Sequence, residues 1–261
     1  MPRLVLVRHA QSENNVNSAR VREQWGHDLE ALRRESARVR QSDPPLSELG
    51  RQQLAPLAAR LGPLARESST LLVASPMRRA LATATAIARE AEIGRERFVC
   101  EGSIYEIGGC HYCGVAQPST TPAAIEDEWP VRCEHVDPAG WYAGRERIES
   151  TEQAAARVAG AVEWIEGQLA SGHYSTFIVV AHGDLLSRWL RQWLGVPTTR
   201  GLAFAHANTA ITTLDWHPSE GLQMRGFNDA SHLPPELHTG DDAEAWWRYA
   251  QPDRARTLAD V

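Results

Sequence analysis

Three short and almost wholly apolar runs constrain this chain most: RLVLV at Arg3–Val7, TLLVA at Thr70–Ala74 and TFIVVA at Thr176–Ala181. Runs of this length, rich in β-branched residues, read as strands buried on both faces, and strands of that kind belong to parallel sheets covered by helices. Between them lie stretches with helical periodicity, at about Ser47–Leu61, Pro76–Ala91, Thr151–Ala170 and Asp184–Leu194. Strand-like segments follow around Ala210–Asp215 and Leu222–Phe227. Alternation of this sort predicts an α/β fold, a mostly parallel sheet inside a three-layer α/β/α sandwich.

Local signals sharpen some of these elements. Ser150 and Gln153 form a capping-box pattern, and Ala155, Val158, Val162, Ile165 and Leu169 repeat at spacings of three and four. Pro76 suits a first helical turn, while Pro56 lies inside the earlier helix and should kink it. Two stretches break the alternation: an arginine-rich one near 17–43, and one near 102–149 with glycine, proline, tryptophan and three of the four cysteines. With 261 residues, the chain reads as one α/β domain over 1–233 carrying these two insertions. Residues 234–261 read as a tail, helical around Ala243–Tyr249.

Composition excludes several function classes. All 27 cations are arginine, so a P-loop lysine, a pyridoxal Schiff base and a protein-kinase site are out. The absence of lysine, with abundant alanine, points to a GC-rich, bacterial source. A net charge of -6 argues against a nucleic-acid partner. No apolar run approaches a bilayer span or a signal-peptide core, so a cytoplasmic, membrane-free and reduced protein is expected. The oligomeric state stays open, a homodimer included.

Arg8-His9 directly follows the first strand, and His182 follows the strand FIVVA in the same way. Ligands bind at the carboxyl ends of strands in open α/β sheets, so two imidazoles placed there could face one point. The alternative is that each histidine merely caps its strand by hydrogen bonding.

VRHAQSENN resembles the signature of the histidine phosphatase superfamily, which includes the cofactor-dependent phosphoglycerate mutases. PLSELGRQQ, SPMRRALATA, IYEIGG, VVAHGD, NTAITTLDW and FNDASHL resemble further family segments, in the family's order over Leu4–Leu233. The resemblance implies a phosphoglycerate mutase-like fold and a phosphomonoesterase that needs neither metal nor other cofactor. Its substrate would be a small-molecule phosphate ester. His9 is implied as the nucleophile, held neutral by nearby guanidinium groups. Arg8, Asn15, Arg79, His182 and Gly183 are implied to hold the phosphate, the arginines through bidentate donors. Glu106 is the implied proton donor, kept protonated by like-charge repulsion from a bound dianion, with Glu101 as its rival.

The sequence also departs from the family pattern. Ala10 stands where glycine is usual, which would cost about 1 kcal/mol if that position needed positive φ. Arg78 adjoins Arg79, and the offset from Ser75-Pro76 favours Arg79 as the phosphate ligand. Glu106 is followed by Ile107-Gly108-Gly109-Cys110-His111 rather than the arginine, histidine and tyrosine that grip phosphoglycerate in the mutases. That favours a phosphatase over its two rivals, a mutase-like phosphotransferase and a non-catalytic phospholigand-binding protein of the same fold. Cys110, Cys113, Cys133 and His135 have a spacing compatible with a structural zinc clip, although buried, apolar cysteines are the commoner outcome. The arginines of 17–43 either reach over the pocket or line a solvated helix. Trp25, Trp129 and Trp141 either line an apolar side of the pocket or, as is the commoner outcome, pack in the core or a lid.

Overall fold

The computed structural model describes residues 1–196, 202–217 and 219–240. Its elements run in chain order as β1 (Arg3–Arg8), α1 (Glu13–Trp25), α2 (Leu29–Val39), α3 (Glu48–Arg66), β2 (Thr70–Ala74), α4 (Arg78–Glu90), β3 (Phe98–Glu101), β4 (His111–Tyr112) and β5 (Val115–Ala116). After these come α5 (Pro122–Glu128), β6 (Arg132–Glu134), α6 (Thr151–Ser171), β7 (Thr176–Ala181), α7 (Gly183–Trp193), β8 (Ile211–His217) and β9 (Gly221–Asp229). Seven strands form one sheet in the order β6-β3-β2-β7-β1-β8-β9. The first five are parallel, while β8 and β9 pair antiparallel along one edge.

The period of two along each strand sorts side chains to the two faces. Val5, Val7, Leu72, Ala74, Ile178 and Val180 pack with Leu57 and Leu61 of α3 and Leu81, Ala84 and Ile87 of α4. Leu4, Leu6, Leu71, Val73, Phe177 and Val179 pack with Val158, Val162 and Ile165 of α6 and with Leu185 and Trp189 of α7. The three-layer sandwich follows directly from these two sets.

Several boundaries refine the expectations. The Ser150–Gln153 capping box opens α6 as its spacing predicted. Ala154, not Ala155, faces the core there, because one helical turn before Val158 is position 154. Pro76 lies outside α4, which starts at Arg78, and α3 continues through both Pro56 and Pro63. The stretch near 102–149 holds the β4–β5 hairpin, α5 and the edge strand β6, all too short to show a period in sequence. The expected tail helix at Ala243–Tyr249 lies outside the described residues. Among the described residues no helix is long and apolar enough to cross a membrane.

Candidate active site

The central neighbours β2, β7 and β1 end side by side, and backbone hydrogen bonds hold their exits level. His9 N–H donates to Ala181 O at 2.9 Å, and Ser75 N–H donates to Val180 O at 3.0 Å. The residue after each strand is thereby tied to the end of β7, just ahead of His182. His9 and His182 stand with ring centroids 5.1 Å apart, both buried. The two imidazoles do face one point, as their matching positions suggested.

His9 is locked into one tautomer. Its Nδ1 lies 2.7 Å from Ala10 O, and a carbonyl only accepts, so Nδ1 carries the proton and Nε2 keeps a lone pair. Arg79 Nε donates to that Nε2 at 3.0 Å. Burial, then the charges of Arg79 and Arg8, push the His9 pKa well below the ordinary histidine value. A neutral imidazole with an in-plane lone pair, next to a guanidinium, suits nucleophilic attack on phosphorus. Ala10 is not among the residues at positive φ, so alanine brings no strain there.

The other phosphate candidates surround this pair. Arg8 is 7% exposed and its Nη1 donates to the carbonyls of His206 and Gly240. Arg79 is buried, with Nη1 3.9 Å from Asp43, whereas Arg78 points outward to Glu128. The arginine favoured by the offset from Ser75 is thus the one that stands beside His9. His182 Nε2 lies 2.7 Å from Ser75 Oγ, and its buried Nδ1 has no partner among the described residues. Burial and then Arg79 lower its pKa well below the ordinary value. Gly183 opens α7, so its N–H has no intrahelical acceptor and is available to an anion. Asn15 spends its side-chain oxygen on the N–H and hydroxyl of Ser12 in a capping box, which keeps only its amide hydrogens for a ligand.

Glu106 is brought to the same place by α7. One carboxylate oxygen accepts the N–H groups of Ile107 at 2.8 Å and Leu185 at 3.1 Å, and the other lies 3.5 Å from Asp184 N. This anchors the carboxyl at the positive end of a helix, and its charge acts on both Arg8 and Arg79. Asp184 sits beside it, reachable by solvent but walled by protein. That crowding, followed by the charge of Glu106, lifts the Asp184 pKa to about 7. Glu101, the other candidate, is buried, caps Ser103 and pairs with His135 at 2.8 Å.

The cysteines do not converge, so of the two readings the spacing left open, the described residues offer no arrangement of them as a zinc clip. Cys133 sits opposite Cys100 in the β3–β6 register, Cys110 turns to Pro118 O, and Cys113 reaches Ala37 O of α2. Three different neighbourhoods separate ligands that looked adjacent in sequence. Among the described residues a group able to hold an ion comprises Glu101, Glu134 and His135, without any cysteine. The arginine-rich stretch is the α1–α2 helix pair, and Asp43 after it accepts the N–H of Arg78 at the start of α4. Burial lifts Asp43 to about 6 against the pull of Arg79. Trp141 is buried against Tyr105 and Tyr142, and Trp129 packs on the same cluster.

Several groups around the site carried no individual signal. Thr83 Oγ1 accepts the Ala10 N–H, Gln53 Oε1 accepts the Gln11 N–H, and Asn208 donates to His9 O. Ser75 and Gln53 belong to the family-like segments quoted above, where position hinted at importance but not at a partner. Only the packed chain shows that Thr83, Gln53 and Asn208 hold the turn between Arg8 and Gln11, and that Ser75 holds His182.

A family model described as the histidine phosphatase superfamily, branch 1, matches residues 4–230. No curated protein matches the chain in sequence. Among solved structures, a mycobacterial glucosyl-3-phosphoglycerate phosphatase complexed with VO3 shares 22% identity at a TM-score of 0.52, over 88% of this chain and 100% of its own. An ecdysone phosphate phosphatase from Bombix mori in complex with tungstate shares 15% identity at 0.56, over 90% and 94%. A phosphoserine phosphatase mutant from Entamoeba histolytica in complex with phosphoserine shares 14% identity at 0.50, over 90% and 100%. Similarity at these identities is similarity of fold, and it accords with the sheet order and the two helical layers. With the family model spanning nearly all of the strands and helices described above, the chain belongs to the histidine phosphatase superfamily.

Proposed function

We propose that this protein is a phosphomonoesterase that hydrolyses a small phosphorylated metabolite through a phosphohistidine on His9. The observation that carries this reading is the fixed tautomer of His9, whose Nε2 lone pair faces Arg79 beside His182. In the empty site Arg79 occupies that lone pair. An arriving phosphate takes over the guanidinium's donors, and Nε2 is released toward phosphorus.

In the first step the His9 Nε2–P bond forms and the P–O bond to the leaving group breaks. Glu106 gives its proton to the departing oxygen. Arg8, Arg79, His182 and the Gly183 amide take up charge on the equatorial oxygens, where phosphoryl transfer needs it most. In the second step the Glu106 carboxylate accepts a proton from water, the water oxygen attacks phosphorus, and the N–P bond breaks. Glu106 and His9 return to their starting states, and the sum is ester plus water giving alcohol plus phosphate.

Turn geometry after Glu106 supports a phosphatase over a mutase. Gly109 adopts φ 68°, and a Cβ there would lie 1.9 Å from the Tyr142 ring, so position 109 has no room for one of the longer side chains that grip phosphoglycerate. Presented with 3-phosphoglycerate and a trace of 2,3-bisphosphoglycerate, the protein should form little 2-phosphoglycerate. Rapid interconversion of the monophosphates would favour the mutase reading.

The decisive test is an acid- and alkali-quench experiment with a labelled ester. Label should sit on His9, labile in acid and stable in alkali. Label that survives acid, or that persists in His9→Ala, would assign the chemistry elsewhere.

A further inference from the structure

The turn between Arg8 and Gln11 leaves β1 with backbone groups that no strand can satisfy. Two fully buried amides supply part of what is missing: Asn208 Nδ2 donates to His9 O at 2.9 Å, and Gln53 Oε1 accepts the Gln11 N–H at 2.8 Å. An amide can present either end, so something must set which end faces the turn. That something is a stretch near the end of the described chain. Gln53 Nε2 donates to Leu237 O at 2.7 Å and to Thr239 Oγ1 at 3.0 Å. The Thr239 hydroxyl in turn donates to Asn208 Oδ1 at 3.1 Å, and Asn208 N–H donates to Thr239 O at 2.8 Å.

The chain of donors runs one way. Because Thr239 Oγ1 accepts from Gln53, its own proton goes to Asn208 Oδ1, and both amides then turn their correct ends to His9 and Gln11. The next residue reaches the phosphate side of the site. Gly240 O accepts from Arg8 Nη1 at 3.1 Å, and Gly240 holds φ +80°, where a Cβ would lie 2.6 Å from that same nitrogen.

We infer that Leu237–Gly240 is a working part of the active site, with Thr239 a positioning residue for the His9 turn and Gly240 one for Arg8. This rests on the reading of His9 as nucleophile and Arg8 as phosphate ligand. What looked like the beginning of a tail is the third wall behind the nucleophile. A small misplacement of a reacting group is enough to cost about 100-fold in rate, so a hydroxyl that acts only through Gln53 and Asn208 matters.

The test uses the full chain, p-nitrophenyl phosphate as substrate and inorganic phosphate as competitor. Thr239→Val keeps the shape and removes the hydroxyl. It should lower the rate of His9 phosphorylation in single turnover by about 10- to 100-fold, and leave KM within a few-fold. Thr239→Ser restores the hydroxyl and should recover most of that rate. Gly240→Ala should act on the other side, raising KM and the inhibition constant of phosphate about tenfold or more through Arg8. That opposite split is what loss of stability alone does not produce. Unchanged constants in folded Thr239→Val and Gly240→Ala, or losses that follow the melting temperature and are shared by Thr239→Ser, overturn the inference. If Thr239→Val does not fold, Gly240→Ala and Thr239→Ser decide it alone. His9→Ala separates the two readings: residual turnover there overturns the proposed chemistry, while a dead His9→Ala beside a fully active Thr239→Val overturns only the role of this segment.

Discussion

The turns after β1 and β7 are one architectural device used twice, with different results. Each carries a histidine from the end of a buried parallel strand to the same point, and each imidazole is held below its ordinary pKa by burial and by Arg79. They differ in which nitrogen is tied and to what. His9 ties Nδ1 to a carbonyl, which can only accept, so its tautomer is dictated. His182 ties Nε2 to the Ser75 hydroxyl, which can donate or accept. Met77 N–H approaches the same Oγ at 3.3 Å, leaving the hydroxyl proton for His182 in the empty site. In the proposed reaction, that hydroxyl reverses when a phosphate dianion arrives and His182 becomes a cation. In that reaction the rigid anchor suits a nucleophile, and the reversible one a donor that follows the charge of its ligand.

Replacing each histidine in turn gives the largest expected effect. His9→Gln should abolish the covalent intermediate and reduce turnover by on the order of 10⁴-fold or more. His182→Gln should still form an acid-labile phosphohistidine on His9, about 100- to 1,000-fold more slowly, as for a lost oxyanion donor. Rapid-quench labelling measures both. Equal loss of the intermediate in the two variants would erase the proposed division of labour.

Glu106→Gln comes next and tests the proton that neither histidine supplies. Phosphorylation of His9 should slow by roughly 100- to 10,000-fold with an alkyl phosphate and far less with p-nitrophenyl phosphate, whose leaving group needs no proton. Single-turnover rates isolate that step from hydrolysis. Similar losses with both esters would remove Glu106 from the role of acid.

Ser75→Ala frees the His182 anchor without touching His9. A loss of about 5- to 10-fold in kcat/KM is expected, the worth of one net hydrogen bond near 1 kcal/mol. Its effect should vanish in a His182→Gln background, and additive losses in that double variant would show that Ser75 acts elsewhere.

The smallest effect concerns stability and a third imidazole. Burial lowers His206 from 6.5 to about 4. The folded chain therefore binds that proton less readily than the unfolded one, so its contribution to stability is complete above about pH 6.5 and lost as pH falls toward 4. His9 and His182 act in the same direction, while Asp43 and Asp184, raised to about 6 and about 7, act in the opposite one. The difference between parent and His206→Phe isolates one group. Denaturant melts across pH 4–7 should show the variant less sensitive to acid by about one proton. A constant offset across that range would mean His206 is not buried as a neutral ring.

Much of this arrangement was legible in the residue order. The apolar runs at β1, β2 and β7 gave their own limits within a residue, since a strand buried on both faces has no polar positions to blur it. Arg8, His9 and His182 stood out because they directly follow such runs. The strands Phe98–Glu101 and Arg132–Glu134 were not legible: four and three residues long, the latter at the sheet edge, they are too short for a period. Sequence spacing left a cysteine clip open that the packed chain does not form, because Cys110 turns to Pro118, Cys113 to Ala37 of α2, and the β6 register sets Cys133 opposite Cys100.

The layered α/β plan and the strand ends where chemistry can occur were thus readable in the residue order, because hydrophobic period and strand position are local properties. Tertiary structure alone decided which nitrogen of each histidine is tied, which end of Asn208 and Gln53 meets the His9 turn, and that Thr239 stands behind it. Those are hydrogen-bond directions between residues as many as 199 positions apart, and a direction in space has no counterpart in the order of residues along a chain.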